Sequence, residues 1–164
     1  MPQIFSLQGE FVRVAYNNEG FVTLGYRVAN GSVGEEWMML DVGLTVRAGV
    51  PSYDLKRDAL TLKTPDGKAL PLATQKEYAE AGYLSALNKR AKTVRDSINY
   101  FPAEVNKVGA FQFYADLGAP GSSLSFDEVH LADNRASVGR VFFKIPGGIQ
   151  TGQHWLVVKF EGSE

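Results

Sequence analysis

The sequence predicts a mainly β protein: an antiparallel sandwich of two sheets with one helical insertion at about residues 74–98. The clearest sign is the run Trp37–Arg47, WMMLDVGLTVR, in which every second residue from Met38 to Val46 is apolar. Successive side chains of a strand point to opposite sides of its sheet, so this alternation is typical of a long strand with one buried face. Several other segments alternate in the same way, and after residue 74 the apolar period becomes that of a helix.

The other strands are predicted to be shorter and to be separated by turns. We expect them over Phe11–Tyr16, Phe21–Ala29, Ala59–Lys63, Lys68–Leu72, Phe111–Ala115, Leu124–Leu131, Gly139–Ile145 and Gly152–Phe160. We expect turns at Asn17-Asn18-Glu19-Gly20, Asn30-Gly31-Ser32 and Pro65-Asp66-Gly67, because Asn and Gly tolerate positive φ and Pro presets a bend. In the second strand, the side chains expected to face the core are those of Val22, Leu24, Tyr26 and Val28, and those expected to face outward are those of Thr23, Gly25 and Arg27.

The carboxy-terminal strands carry two further expectations. The apolar phase slips within Leu124–Leu131, and a β-bulge at Asp127-Glu128 would reconcile its two halves. Gly139–Ile145 and Gly152–Phe160 flank Pro146-Gly147-Gly148, so we predict that these two strands pair as a hairpin with a longer loop.

The helix is predicted from a capping box and an apolar stripe. Thr74 stands three residues before Glu77, so its side chain can accept from the Glu77 backbone while the Glu77 side chain reaches back to Thr74. The residues that then recur at three- and four-residue spacing are Leu84, Leu87, Ala91, Val94 and Ile98. We expect this stripe to cover the apolar outer face of the last hairpin, made of Phe142, Trp155 and Val157. On that packing, Leu87→Ala costs about 2–5 kcal/mol.

The bulk composition is that of one globular domain, to which we assign residues 1–164. Hydrophobic residues make up 45% of the chain and charged residues 21%. The net charge of −1 gives no overall attraction for nucleic acid, and no apolar stretch approaches the roughly 20 residues of a membrane helix. The lack of cysteine excludes disulfides, thiolate catalysis and cysteine-based zinc sites. No basic stretch followed by an apolar one comes after Met1, so we expect no signal peptide within this sequence.

Three segments resemble immunoglobulin-like domains of unknown function in exported bacterial proteins. They are FVTLGYRVAN at residues 21–30, GRVFFKIP at residues 139–146 and WLVV at residues 155–158. Those domains carry one strand that ends in Asn and, late in the fold, a Gly-led apolar strand that closes in Pro. The resemblance covers about the first and last thirds of the chain. It implies an immunoglobulin-like β-sandwich in an exported protein, periplasmic or at the cell surface, and it supplies no catalytic residues.

Catalytic chemistry has few candidates. A hydrolase triad needs a nucleophile, a histidine base and a carboxylate, and His130 and His154 are the two histidines of the chain. We interpret both as edge or surface residues, and no Gly-x-Ser-x-Gly elbow, P-loop or dinucleotide motif occurs. We therefore expect no enzyme activity, no catalytic residues and no cofactor. The weaker alternative is a hydrolase, which requires a pocket that holds a histidine beside a carboxylate and a Ser or Thr.

Two groups of charged residues are interpreted as solvated surface. The acidic group near the carboxy-terminal loops consists of Asp116, Asp127, Glu128 and Asp133. Calcium favours such oxygen ligands, but no dense Asp-x-Asp spacing occurs, so we expect no metal site. The basic group consists of Lys89, Arg90, Lys92 and Arg95, which lie mainly off the apolar stripe of the predicted helix.

The expected function is that of a non-catalytic accessory or protein-interaction domain of an exported bacterial protein. It would contact a protein partner through a sheet edge or a loop surface, without binding nucleic acid or inserting into a membrane, and its oligomeric state is left open. The alternative is a carbohydrate-binding module, in which aromatic side chains stack on sugar rings. Trp37 and Met39 are the candidates for that platform, because they occupy the outward side of the best-defined strand.

Overall fold

The computed structural model describes residues 3–30, 36–81, 97–114 and 125–164. These residues form eleven strands, two short helices and one 3₁₀ turn. The strands are β1 (Ile4–Leu7), β2 (Val12–Tyr16), β3 (Gly20–Gly25), β4 (Trp37–Val46), β5 (Tyr53–Lys56), β6 (Leu60–Lys63), β7 (Ala69–Pro71), β8 (Lys107–Ala110), β9 (Glu128–Leu131), β10 (Arg135–Lys144) and β11 (Trp155–Val158). The helices are α1 (Arg27–Asn30) and α2 (Gln75–Glu80), and the 3₁₀ turn is Arg57–Ala59.

The strands are arranged in three sheets. The large sheet has the order β1-β2-β3-β4-β10-β8, the second sheet has the order β11-β6-β7, and β5 and β9 form a third, two-stranded sheet. The predicted mainly β class is confirmed, and this arrangement of several sheets is consistent with a sandwich. Purely antiparallel pairing was the expectation, and it is wrong for one pair, because β8 runs parallel to β10.

β4 lies in the middle of the large sheet, and all ten of its residues are buried. Its inner face, from Met38 to Val46, joins the main core together with Leu60 and Leu62 of the second sheet. The expectation of a single buried face is therefore wrong. The outer face is also covered: the ring of Phe101 lies over Gly43, and the Ile98 side chain lies against Gly25 of β3.

β3 is shorter than predicted, and its exposure pattern is the reverse of the expected one. The strand ends at Gly25, and the chain then turns into α1, which buries both Val28 and Ala29. Two adjacent buried side chains fit a helical turn better than an alternating strand. Thr23 is fully buried because Phe101 and its neighbours cover the outer face, whereas Val22 and Leu24 on the inner face are only half-buried.

The predicted carboxy-terminal hairpin does not form. β10 lies between β4 and β8 in the large sheet, whereas β11 pairs with β6 in the second sheet. β10 is covered on both faces near its end, where consecutive residues from Val141 to Phe143 are all buried. Phe142 contacts the rings of Tyr78 and Tyr114, with centroids 4.8 and 5.2 Å away. The two segments are both apolar and are joined by a Gly-rich connection, but these features do not determine that the strands pair with each other.

The two strands predicted before that hairpin are displaced. The expected strand Phe111–Ala115 is irregular over residues 111–114, and the strand in this region is β8, which precedes it. β9 begins only at Glu128, so the phase change assigned to a β-bulge is the start of the strand. Val129 and Leu131 are the buried residues of β9.

Two predicted turns are confirmed. β6 and β7 pair across Pro65-Asp66-Gly67, where Gly67 has a φ of +86°. β2 and β3 pair across residues 17–20, but no non-glycine residue in the described ranges has positive φ. Asn17 acts instead through its side chain, because its Oδ1 accepts from the backbone N–H groups of Glu19 and Gly20 at 2.8 and 2.9 Å.

The helical insertion begins as predicted, with a first helix that ends at Glu80. Both hydrogen bonds of the Thr74–Glu77 capping box are present, each 3.0 Å long. α2 stops at Glu80, and Ala81 is extended, so a continuous helix over residues 74–98 is not formed. Most of the predicted stripe (Leu84, Leu87, Ala91 and Val94) and the basic group at residues 89–95 lie outside the described residues. Ile98 is buried, and it contacts the large sheet rather than Trp155.

Candidate functional site

An open cleft separates the inner face of β1–β3 from β11 and the loop at residues 149–154. It consists of two adjoining parts of about 490 and 450 Å³. The residues that line both parts are Arg13, Leu24, Gln153, His154 and Leu156. We call this feature the edge cleft, because its walls are the edge strands of the two larger sheets, β1 and β11.

The cleft exists because the two sheets differ in width. Six strands on one side face three on the other, so the second sheet does not cover the inner face of β2 and β3. The uncovered floor contains Ala15, Val22 and Leu24, which are half-buried although their strands lie within the large sheet. A concave apolar surface with a few polar groups is the usual form of a binding site.

Apolar side chains stand exposed at the rim of the edge cleft. Trp155 of β11 is 51% exposed and lies edge-on to Phe5 of β1, with the ring centroids 6.1 Å apart. Phe5 and Leu7 of β1 lie on the same face of the sheet as Ala15 and Arg13 and are 53% and 58% exposed, whereas Ile4, 50% exposed, lies on the opposite face. We expected Phe142, Trp155 and Val157 to be covered together; this is wrong for Trp155, whereas Phe142 is buried and Val157 is half-buried. Sequence reasoning missed β1 altogether; the alternation of Phe5 and Leu7 was a signal that could have revealed it.

Three polar side chains accompany these apolar groups. The Arg13 guanidinium lies over the ring of Tyr26, 5.6 Å from its centroid. Gln153 is exposed beside it on the opposite wall. The His154 Nδ1 lies 3.0 Å from the carbonyl oxygen of Gly152. Because a carbonyl can only accept, Nδ1 carries the hydrogen, whereas Nε2 is buried and has no partner among the residues that the structure describes.

Neither histidine is placed in a hydrolase triad among the described residues. His130 Nδ1 lies 2.8 Å from the Asp54 carboxylate because the two residues face each other across β5 and β9. Both side chains are about half exposed. The Ser137 hydroxyl approaches the backbone oxygen of His130, at 3.5 Å, rather than its ring. The structure therefore pairs one histidine with a carboxylate on the surface and the other with the backbone.

The acidic residues considered as calcium ligands are dispersed. Asp127 lies 3.8 Å from Arg57, Glu128 stands opposite Lys56, and Asp133 accepts from the backbone of Gly49. Asp116 lies outside the described residues. Within the part of the chain that is described, no group of three or more His, Cys, Asp or Glu side chains converges as metal ligands would.

The proposed sugar-stacking pair is buried. Trp37 and Met39 are only 2% and 1% exposed, because the outer face of β4 is covered. Their assignment as a platform is wrong, and Trp155 is the tryptophan that reaches the surface. Alternation indicates which residues share a face, but it does not indicate which face a distant segment covers.

No family model, curated protein or solved structure matches this chain. Among the described helices, none has both the length and the apolar character needed to cross a membrane.

Proposed function

We propose that this chain is a non-catalytic accessory domain of an exported bacterial protein, and that it binds a protein partner at the edge cleft. Opposed sheets around one core, together with the segments at residues 21–30 and 139–146, support an immunoglobulin-like assignment for the domain. The exported, bacterial context rests on the same resemblance. The chemistry of the described histidines favours a binding role, because one is tied to a surface carboxylate and the other to the backbone.

The observation that carries the proposal is the unprotected edge at β1. Edge strands commonly carry a charge, a proline or a bulge, which prevent pairing with other chains. β1 has none of these: its sequence is Ile-Phe-Ser-Leu, it pairs regularly with β2, and three of its four side chains are exposed and apolar. Because Phe5 of this edge lines the cleft, the exposed apolar side chains of β1 favour contact with another polypeptide there.

A carbohydrate-binding module is the second candidate, and one observation favours it. The exposed ring of Trp155 stands at the rim of a cleft beside Gln3 and Gln153. An aromatic face with planar amide groups near it is suited to stack on a sugar ring and bond its hydroxyls.

Photo-crosslinking from the rim would test the protein-binding proposal. A benzophenone side chain at Phe5 is expected to capture a polypeptide in the native host, whereas the same group at Val108 is expected to capture none. Val108 is a matched control, because it is also an exposed apolar residue of an edge strand, at the far side of the large sheet. Equal capture at both positions would contradict a specific partner site.

Tryptophan fluorescence would test the alternative. Trp155 is exposed and Trp37 buried, so a ligand at the cleft changes the emission of the first alone. Saturable quenching by soluble glycans that disappears in Trp155→Phe, without any crosslink from Phe5, would favour the carbohydrate-binding module.

A further inference from the structure

We propose that the edge cleft takes one extended strand of a partner protein, which hydrogen-bonds to the free edge of β11 and brings an acidic side chain to Arg13. This inference rests on the protein-binding function proposed above and specifies its binding mode. It follows from the orientation of the β11 backbone, the width of the uncovered floor and the charge of the lining residues.

The backbone of β11 has hydrogen-bonding groups directed into the cleft. The Lys159 N–H donates to the Ala59 oxygen at 2.8 Å, in the register that pairs β11 with β6. In an antiparallel ladder, hydrogen-bonded and non-hydrogen-bonded pairs alternate. Val157 and Trp155 therefore bond toward β6, and the N–H and C=O groups of Leu156 and Val158 point away from it. In the described part of the chain, no strand pairs with β11 on that side.

The floor of the cleft has the apolar character that one further strand would cover. A strand added beside β11 would lie about 4.8 Å from it and would sit over Ala15, Val22 and Leu24. Alternate side chains of that strand would point at these residues, and the others would point to solvent. The occupant is thus an extended segment with apolar residues at every second position, rather than a helix or a flat surface.

The positive charge of Arg13 indicates which residue the bound strand should place opposite it. Arg13 lines both parts of the cleft, and among the described residues no carboxylate forms an ion pair with it. The guanidinium lies over the ring of Tyr26, and this contact leaves its N–H groups available to an acceptor. Of the described residues that line the cleft, Glu164 alone is acidic. Arginine–carboxylate pairs are strong and directional, so the inward-facing residues of the occupant should include Asp or Glu.

A displayed library of random peptides of about nine residues, the upper length of common strands, is the probe for this mode. Peptides selected on the wild-type protein are expected to show alternating apolar residues with an acidic residue in the same phase. Their binding should be lost with Trp155→Ala and kept with Val108→Ser. Failure to select any peptide, or selection that ignores Trp155, would overturn the protein-binding function itself.

Backbone methylation of a selected peptide separates strand addition from other modes. Methylating an amide that bonds to β11 should weaken binding about tenfold, whereas methylating its immediate neighbours should have little effect. If methylation weakens binding at the inward-facing residues of the peptide, the added strand is antiparallel to β11. If it weakens binding at the outward-facing residues, the added strand is parallel to β11. Equal effects at both sets, in peptides that still depend on Trp155, would overturn strand addition while leaving the protein-binding function intact.

A charge exchange tests the role of Arg13 without altering the core. Arg13→Glu should reduce the affinity for the acidic peptide, and a peptide with Lys in place of its acidic residue should regain it on the variant. Lys76→Glu, at an exposed position on α2, is the control. An unchanged affinity with Arg13→Glu would overturn the acidic specificity.

A concentration-dependent dimer in sedimentation that excludes the peptide would instead identify a second copy of this chain as the occupant.

Discussion

Two buried threonines provide a sharp test of the packing of the outer face. Thr23 of β3 and Thr45 of β4 lie on the same face of the large sheet, and both are fully buried. The Thr45 hydroxyl is 2.9 Å from the backbone oxygens of Ala132 and Arg135. Among the described residues, the Thr23 hydroxyl has no hydrogen-bond partner. The two sites therefore have the same residue type and the same burial, and they differ in whether the hydroxyl is hydrogen-bonded.

Replacing each residue by valine preserves its shape and removes the hydroxyl. A buried hydroxyl without a partner costs about 1–3 kcal/mol, so Thr23→Val should raise the free energy of unfolding by about that amount. Thr45→Val removes the hydrogen bond that this hydroxyl donates to the half-buried carbonyls of Ala132 and Arg135, between which its single hydrogen is shared, and should lower the free energy of unfolding by about 0.5–1.5 kcal/mol. For a domain of this size, each kcal/mol corresponds to a shift of about 2–4 °C in Tm.

Urea denaturation followed by circular dichroism would measure both effects. The m-value should stay constant, because neither substitution changes the surface exposed on unfolding. If Thr23→Val is as destabilising as Thr45→Val, the Thr23 hydroxyl has a partner and the described packing around Gly43 and Phe101 is wrong.

Three further predictions concern residues with defined surroundings. Arg57→Met should cost about 2–4 kcal/mol in urea denaturation, because the guanidinium donates to the buried carbonyls of Phe113 and Ala73 at 2.6 and 2.8 Å. Trp155→Ala should change stability by less than about 1 kcal/mol, whereas Trp37→Ala should cost about 3–5 kcal/mol; similar losses would show that Trp155 is packed. Burial, followed by the neighbouring Glu19 carboxylate, raises the pKa of Tyr53 to about 12. Stability should therefore fall as pH rises from about 10 to about 12, and Tyr53→Phe should reduce that loss in alkaline melts.

Local signals in the sequence located elements whose geometry is determined by nearby residues. The capping box at Thr74 and Glu77 and the turn at Pro65-Asp66-Gly67 each depend on contacts within a few residues. The same holds for Asn17, although its role proved to be side-chain hydrogen bonding rather than positive φ. The alternation of β4 likewise located the strand, although its pairing partners lie far away in the sequence. Such features can be read from one sequence because propensity and spacing determine them.

Long-range pairing could not be read in this way. β10 and β11 are neighbours in sequence, yet they belong to opposite sheets, since β10 pairs with β4, about one hundred residues earlier. The covering of Trp37 and the exposure of Trp155 likewise depend on where distant segments pack. Periodicity assigns a residue to a face and contains no information about what lies opposite that face. The edge cleft could therefore not be predicted from the sequence, because it results from the unequal widths of two sheets.

Contacts at the two ends of the edge cleft hold its shape and so reduce the entropy that the protein loses on binding a ligand there. At one end, the Glu19 carboxylate accepts from the Ser163 hydroxyl at 2.6 Å and from the Gly162 N–H at 3.0 Å, and the Phe160 ring packs against Gly20. These contacts tie the β2–β3 turn, on one wall, to the segment that follows β11, on the other.

At the opposite end, the loop that precedes β11 is tied to the β6–β7 turn. Gln150 Nε2 lies 3.4 Å from the Asp66 carboxylate, and Gly152 approaches Pro65. Because the β11 wall is held at both ends and is tied to the β2–β3 turn at one of them before any ligand arrives, the entropy lost on binding falls mainly on the ligand. An incoming strand would then be selected by its own tendency to be extended. Peptides rich in β-branched residues should bind more tightly than equally apolar peptides rich in leucine, since the former lose less conformational freedom in a strand.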